Sequence, residues 1–321
     1  MARSLGGYGR CVDDLTQARA AAVHADPRVC EGVAGGLSEA LYLLRRYREA
    51  AAAAEPLAKG VLGGFVEALR ALADGAAPPR VELTGVPHIR QDHVTCAPAS
   101  VAQIAAYLGD PVDHVALAET VCYAGTPAHR LRAWAEGRGF AVAEFDVTLE
   151  AARGLIDRGL PFMLITASTV GSHAQVVVGY DLARGTLLLH DPSHPYLVEN
   201  LVAPLLASQA WCGPCGVAFV PASRAGALDG LALPERGSWD ARHRFEVALE
   251  RHDVAAAEAA LADVEAASPG GRHALQLGLE LARYRGDGEG QLRRLDALLA
   301  LHPHTRVWVI RRAEVMRGLR P

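Results

Sequence analysis

Cys96, His173 and Asp191 are the residues whose types and settings could carry out acyl transfer together. Cys96 stands in Val94-Thr95-Cys96-Ala97-Pro98-Ala99-Ser100, where an extended stretch gives way to a helix. Ala99, Val101, Ala102, Ile104, Ala105 and Leu108 give that helix its buried face, and Gly109-Asp110-Pro111 stops it. Pro98 suits the first turn, where its missing N–H costs nothing. A thiol at a helix start meets unpaired N–H groups and the positive end of the macrodipole. Both favour the thiolate, which is the nucleophilic form. A thiolate still needs a base held in place by a third group. Pro161-Phe162-Met163-Leu164-Ile165-Thr166 reads as a buried strand and Ser168 to Ser172 as a loop. The β-rich run His173-Ala174-Gln175-Val176-Val177-Val178-Gly179-Tyr180-Asp181 follows, with His173 at its mouth. Thr186 to His190 is the returning strand, ended by Asp191-Pro192. A hairpin folded at Arg184-Gly185 makes His173 and Asp191 neighbours, although 18 positions separate them. That arrangement lets a carboxylate hold an imidazole in one tautomer.

The elements that must position these residues fall into three zones. Residues 1–80 read as helical, with Leu15, Ala18, Ala22, Leu41 and Leu44 at helical spacing, and Pro78-Pro79 marks a boundary. Residues 81–222 alternate between helix and strand, and 223–233 is a small-residue connector. Residues 234–321 read as helical hairpins with an internal repeat. Arg251-His252-Asp253 and Arg285-Gly286-Asp287 are 34 residues apart, as are Ser268-Pro269 and His302-Pro303. A two-helix unit of that period is the tetratricopeptide period. Arg46-Tyr47-Arg48-Glu49-Ala50 near the N-terminus resembles that repeat's inter-helix corner. Such hairpins must stack on neighbours, so they are expected to pack on the central domain or to receive a partner protein or peptide.

The order of features in the centre resembles papain-like cysteine peptidases. These features are Gln…Cys-x-Pro-Ala at a helix start, His heading a Val-rich strand that ends Gly-Tyr-Asp, and a strand ending Asp-Pro. The bacteriocin-processing, double-glycine-leader peptidases and their free-standing bacterial relatives, some fused to tetratricopeptide helices, are the nearest look-alikes. The resemblance covers about residues 81–221. It implies an α+β fold: a papain-like central domain with a nucleophile helix against an antiparallel sheet, flanked by tetratricopeptide-like helical hairpins. It makes Cys96 the nucleophile, His173 the base and later acid, and Asp191 the orienting carboxylate. Gln91 would complete an oxyanion hole beside the backbone N–H of Cys96. Two positions depart from the family pattern. Ala97 stands where glycine is usual, and Gln91 lies five rather than six residues before Cys96. Both bear on the oxyanion geometry.

Composition narrows the alternatives. Half the residues are hydrophobic, and 32 Lys+Arg face 36 Asp+Glu for a formal net charge of −4. No basic excess points to nucleic acid or an anionic membrane as partner. No apolar run reaches a bilayer span and Met1 to Tyr8 shows no signal-peptide core, so a cytoplasmic location is expected. Cys11, Cys30 and Cys122 show no partner pattern. Trp211-Cys212-Gly213-Pro214-Cys215 matches the thioredoxin motif, but the run after it reads as a strand, so a turn between sheet elements is expected rather than redox chemistry. His88, His93, His190 and His194 crowd the same stretches without zinc-type spacing, and neither metal nor cofactor is expected. Two functions follow. One is a cysteine peptidase or related acyltransferase acting on a peptide or peptide-like substrate. The other is a non-catalytic peptide- or protein-binding scaffold that keeps the fold. Residues 113–139 and the loop 168–172 are expected to border the substrate groove.

Overall fold

The structure is a computed structural model that describes residues 7–60, 62–75 and 79–319. Residues 1–6 and Pro78, both used in the sequence reading, lie outside the described residues. The chain divides into two compact units: Met1–Arg80 with Asp181–Arg184 and Pro195–Leu197, and Val81–Tyr180 with Gly185–His194 and Val198–Pro321.

The first unit is built on helices α1 (Tyr8–Ala21), α2 (Pro27–Leu43), α3 (Tyr47–Ala54) and α4 (Gly63–Asp74). Their small residues allow close packing around Leu37, Leu41, Val66 and Leu69. Asp26 caps α2 by accepting the Arg28 N–H, and Pro27 occupies its first turn. Within this unit the fully buried Asp181 carboxylate accepts the N–H groups of Ala183 and Arg184 and pairs with the Arg184 guanidinium. The same guanidinium lies over the Tyr42 ring, 5.0 Å from its centre.

The second unit carries a seven-stranded sheet in the order β2-β7-β3-β4-β5-β6, with β1 pairing off β4. In chain order its elements begin with β1 (Arg80–Glu82), α5 (Cys96–Tyr107), α6 (His114–Val121), α7 (Ala128–Gly137), β2 (Phe140–Asp146) and α8 (Leu149–Ile156). β3 (Phe162–Ala167), β4 (Ser172–Asp181), β5 (Thr186–His190), β6 (Leu197–Leu201), α9 (Val202–Gln209) and β7 (Cys215–Pro221) follow. The β2–β7, β7–β3 and β3–β4 pairings are antiparallel. The central strands are apolar on both faces because both faces are covered. α5 packs on β3, while α7 and α10 (Arg236–Glu250) pack on β2. The Phe145 and Phe162 rings meet at 5.5 Å in the resulting core. Gly179 on β4 lets β1 approach: a Cβ there would collide with the Val81 carbonyl. The centre is thus α+β, with the Cys96 helix against the sheet and many helices around it.

α11 (Val254–Ala267), α12 (Arg272–Tyr284), α13 (Gly288–Leu301) and α14 (Arg306–Gly318) complete the unit. The 34-residue spacing has a backbone counterpart. His252 and Gly286 both take left-handed conformations, at φ +59° and +68°. Asp253 and Asp287 then cap the next helix through the N–H three residues on. Arg45, at φ +60°, makes the same turn between α2 and α3. These helices share a unit with the sheet. The Arg272 guanidinium on α12 binds both Asp146 of β2 (2.5 Å) and the carbonyl of Cys212 (2.6 Å). One local expectation is corrected. The Trp211–Cys215 turn does not join two sheet elements directly, because α9 precedes it and β7 begins at Cys215. The apolar run Val202 to Ala207 holds no turn residue before Gly213 except Pro204, which the first helical turn accommodates.

Candidate active site

Cys96 is the first residue of α5, and the cap before it is withheld. The Thr95 hydroxyl donates to the Asp92 carbonyl (2.6 Å) and accepts the Asp92 N–H (3.0 Å), so it makes no bond to the helix. Each amide of the first turn has its own fate. Ala99 bonds back to Thr95 (2.9 Å), Pro98 has no N–H, and the Ala97 N–H helps to lower the Cys96 pKa. The Cys96 N–H has no acceptor among the described residues. Ala97 is buried, so the methyl that replaces the usual glycine packs within the protein.

The β4–β5 hairpin delivers the other two residues. His173 Nε2 lies 2.9 Å from Asp191 Oδ1, which leaves Nδ1 for Cys96, the next group that raises this imidazole's pKa. Asp191 is buried and well supplied with donors. Gln175 Nε2 reaches Oδ2 at 2.7 Å, the Ser193 N–H reaches Oδ1 at 2.7 Å, and His194 Nδ1 lies 3.2 Å from Oδ2. His88 Nε2 sits 2.9 Å from the Asp191 backbone carbonyl, and the Gln91 N–H donates to the Pro192 carbonyl at 3.0 Å. The segment before the Cys96 helix is thereby tied to the end of β5.

Electrostatics follow from these contacts. Burial pushes the Asp191 carboxyl up, but the bonds from His173, Ser193 and Gln175 outweigh it and hold the group well below the usual carboxylate range. The Asp191 bond and then the Cys96 bond raise His173 to about 9 against the cost of burial. Burial also opposes ionisation of Cys96, yet His173 and the N–H groups of Ala174 and Ala97 together lower its pKa. The site therefore favours thiolate beside imidazolium. Burial moves the other motif cysteines the opposite way: Cys212 rises to about 11 and Cys215 well above its ordinary value. Neither is poised as a thiolate.

The structure thus groups Cys96, His173 and Asp191: the imidazole is hydrogen-bonded to the carboxylate, and imidazole and thiol shift each other's pKa. It places Gln91 on the adjacent loop, its Nε2 donating to the His93 carbonyl at 2.6 Å and its buried Oε1 without a partner. His190 stacks edge-on against His88 at 5.8 Å, and desolvation followed by the neighbouring His88 lowers its pKa. Among the described residues no group of His, Cys, Asp or Glu is arranged to hold a metal ion, and no helix is long and apolar enough to cross a membrane. Sequence reasoning misses Gln175 and Ser193, and it names His194 only as one of four histidines in these stretches. Of these, Gln175 has a readable signal, since it lies two positions after His173 and so on the same strand face.

Fold and site together define a papain-like α+β segment with a cysteine, histidine and carboxylate at its centre. Residues 83–200 match the model of the Peptidase_C39 like family. No curated protein matches the chain. Among solved structures, the chain is similar to the peptidase domain of Streptococcus ComA, a bifunctional ABC transporter involved in a quorum-sensing pathway. The identity is 19%, the match covers 42% of this chain and 98% of that one, and the TM-score is 0.34.

Proposed function

We propose that this protein is a cysteine hydrolase that cleaves a peptide or amide bond through a Cys96–His173–Asp191 triad. The observation that carries the reading is the His173 imidazole held on the buried Asp191 carboxylate and coupled to the Cys96 thiol, with the thiol lowered and the imidazole raised. In the first step the Cys96 thiolate attacks the substrate carbonyl carbon. The resulting oxyanion is received by the free Cys96 N–H and by the amide of Gln91. His173 gives its proton to the leaving amine as the C–N bond breaks, leaving a thioester. Neutral His173 then takes a proton from water as the water oxygen attacks, and the Cys96 sulfur leaves. An amine or thiol acceptor could replace water in this second step, giving acyl transfer by the same machinery. Asp191 keeps Nδ1 aimed at sulfur and stabilises the imidazolium. A cytoplasmic setting suits an enzyme whose cysteines are all free thiols. The helical hairpins, read as tetratricopeptide-like, would recruit a protein or peptide partner.

The test is Cys96 alkylation by iodoacetamide across pH, read by peptide mass spectrometry, in the parent and in His173→Ala. The reading predicts fast labelling at pH 6 that collapses in the variant. Labelling that follows an ordinary thiol and ignores His173 would refute it and leave a binding scaffold.

A further inference from the structure

We propose that Gln209, at the end of α9, is a positioning residue for His173, fastening the loop end of the β3–β4 hairpin from which the imidazole projects. The inference rests on the active-site reading above. His173 is the second residue of β4, paired with Thr166, and only the Ala167–Ser172 pair separates it from the hairpin loop. That loop is closed by Ser168, whose N–H and hydroxyl both reach the Gly171 carbonyl. A strand end this short frays unless something holds its other edge.

On that edge β7 pairs with β3 through Met163–Val217 and Ile165–Cys215. Continuing the register would set Ala167 against Gly213. Gly213 instead takes φ +80° and turns its N–H to the Gln209 carbonyl at 2.9 Å. β7 therefore offers the Ala167 N–H no backbone acceptor. The Gln209 side chain supplies one: its buried Oε1 accepts that N–H at 2.7 Å. The same oxygen receives the Cys212 thiol at 3.4 Å. From the far side the turn is clamped by Arg272 on the Cys212 carbonyl and by Gln276 on the Trp211 carbonyl (3.2 Å). The Trp211–Cys215 motif thereby acquires a structural task, with Cys212 acting as a hydrogen-bond donor. α12 becomes the outer support of the strand end that carries His173. Gln209 lies outside residues 83–200, the segment that matches the family.

Gln209 is uncharged, whereas the titratable groups facing His173 are Cys96 and Asp191, with His194 on the far side of Asp191. A changed pH profile on replacing Gln209 by an apolar residue therefore reports geometry and not a lost charge. The experiment compares the full-length parent, Gln209→Leu and Gln209→Glu by iodoacetamide labelling of Cys96 between about pH 5 and 9, with thermal melting alongside. Gln209→Leu leaves a buried N–H unpaired, and labelling at pH 6 should fall about tenfold as the profile moves toward an ordinary thiol. Gln209→Glu keeps the acceptor and should restore the parent profile. A Gln209→Leu protein that melts lower yet keeps the parent profile would make Gln209 merely structural and overturn the proposal. Native-state hydrogen exchange of the parent covers the case in which Gln209→Leu does not fold. An Ala167 amide protected like the strand interior supports the clasp, and one exchanging as fast as Val170 overturns it. An ordinary-thiol profile in the parent itself would instead defeat the active-site reading on which this inference stands.

Discussion

Replacing Asp191 by asparagine removes a charge from the site while keeping the shape of the side chain. The bond from Asp191 is the largest cause that raises His173 from 6.5 to about 9. Without the carboxylate the imidazole returns toward its ordinary value. At pH 7.5 a group of pKa 9 is about 97% protonated, whereas one of pKa 6.5 is about 10% protonated, so imidazolium falls about tenfold. Cys96 loses the cation whose hydrogen bond and charge lower it, and its thiolate fraction falls in step. The amide introduced by Asp191→Asn can still bond to His173, but as a donor it selects the wrong tautomer. Iodoacetamide labelling at pH 7.5 should slow about tenfold, with the deficit narrowing at high pH, where any thiol ionises. Stability should respond with its own sign. The folded pKa of His173 is raised, so its contribution is full below about 6.5 and is lost as pH rises through about 9. That of Asp191 is depressed, so its contribution is present above about 4 and is lost as pH falls through the folded value. The variant should lack both dependences. Parent-like labelling at pH 7.5 in the Asp191→Asn protein would refute the electrostatic reasoning outright.

Three further outcomes are expected. Burial raises Glu144 on β2 to about 7, and Arg132 only partly offsets this, so the folded protein binds a proton there that the unfolded chain releases above about 4.5. Its contribution is full below 4.5 and is lost as pH rises through 7. Glu144→Gln should therefore stabilise the protein by about 1–2 kcal/mol at pH 8 and by little at pH 5, as read by urea melts. Gly213→Ala combines a left-handed φ with a Cβ that collides with the Arg272 guanidinium, and should cost about 2 kcal/mol or more in the same melts. Phe162→Ala empties a fully buried site against Phe145 and should cost about 3–5 kcal/mol, while Cys96 in the remaining folded protein labels as in the parent.

The parts of this molecule that could be read from sequence are those set by local chemistry. The Cys96 helix was legible because Pro98 and Gly109 punctuate an apolar face, and α5 spans Cys96–Tyr107. The His173–Asp191 pairing was legible because two apolar runs flank a Gly185 turn, and β5 spans Thr186–His190. Other features depend on residues distant in the chain. β2 pairs with β7 across 69 to 81 positions, from Asp146 with Cys215 to Phe140 with Pro221, and no local pattern announces that register. The α9 helix hides in an apolar run too short to distinguish from a strand. Apart from Gln175, the donors to the Asp191 carboxylate could not be identified from spacing, because Ser193 acts through its backbone and His194 through a turn. Gln209 carries no sequence signal at all, since its task exists only where β7 turns away from β3.

The scaffold reading has to account for the cost of what the fold maintains. Asp191 is a carboxylate taken out of water, and a binding module could replace the His173–Asp191 pair with apolar residues at little loss or even a gain in stability. Thr95 sits at the N-cap of α5 yet spends its hydroxyl on Asp92, forgoing a cap bond worth about 1 kcal/mol. What that leaves open is a backbone N–H beside a thiol whose pKa is lowered while those of Cys212 and Cys215 are raised. A peptide-binding surface needs none of these three features. A site that must place a negative oxygen next to a sulfur nucleophile needs all of them, and they converge on Cys96. The departures from the family pattern do not weigh against this. The Ala97 methyl is buried, and Gln91 remains on the loop whose N–H is tied to Pro192, the residue after the carboxylate. The balance of these terms argues for chemistry at Cys96 rather than a retired fold.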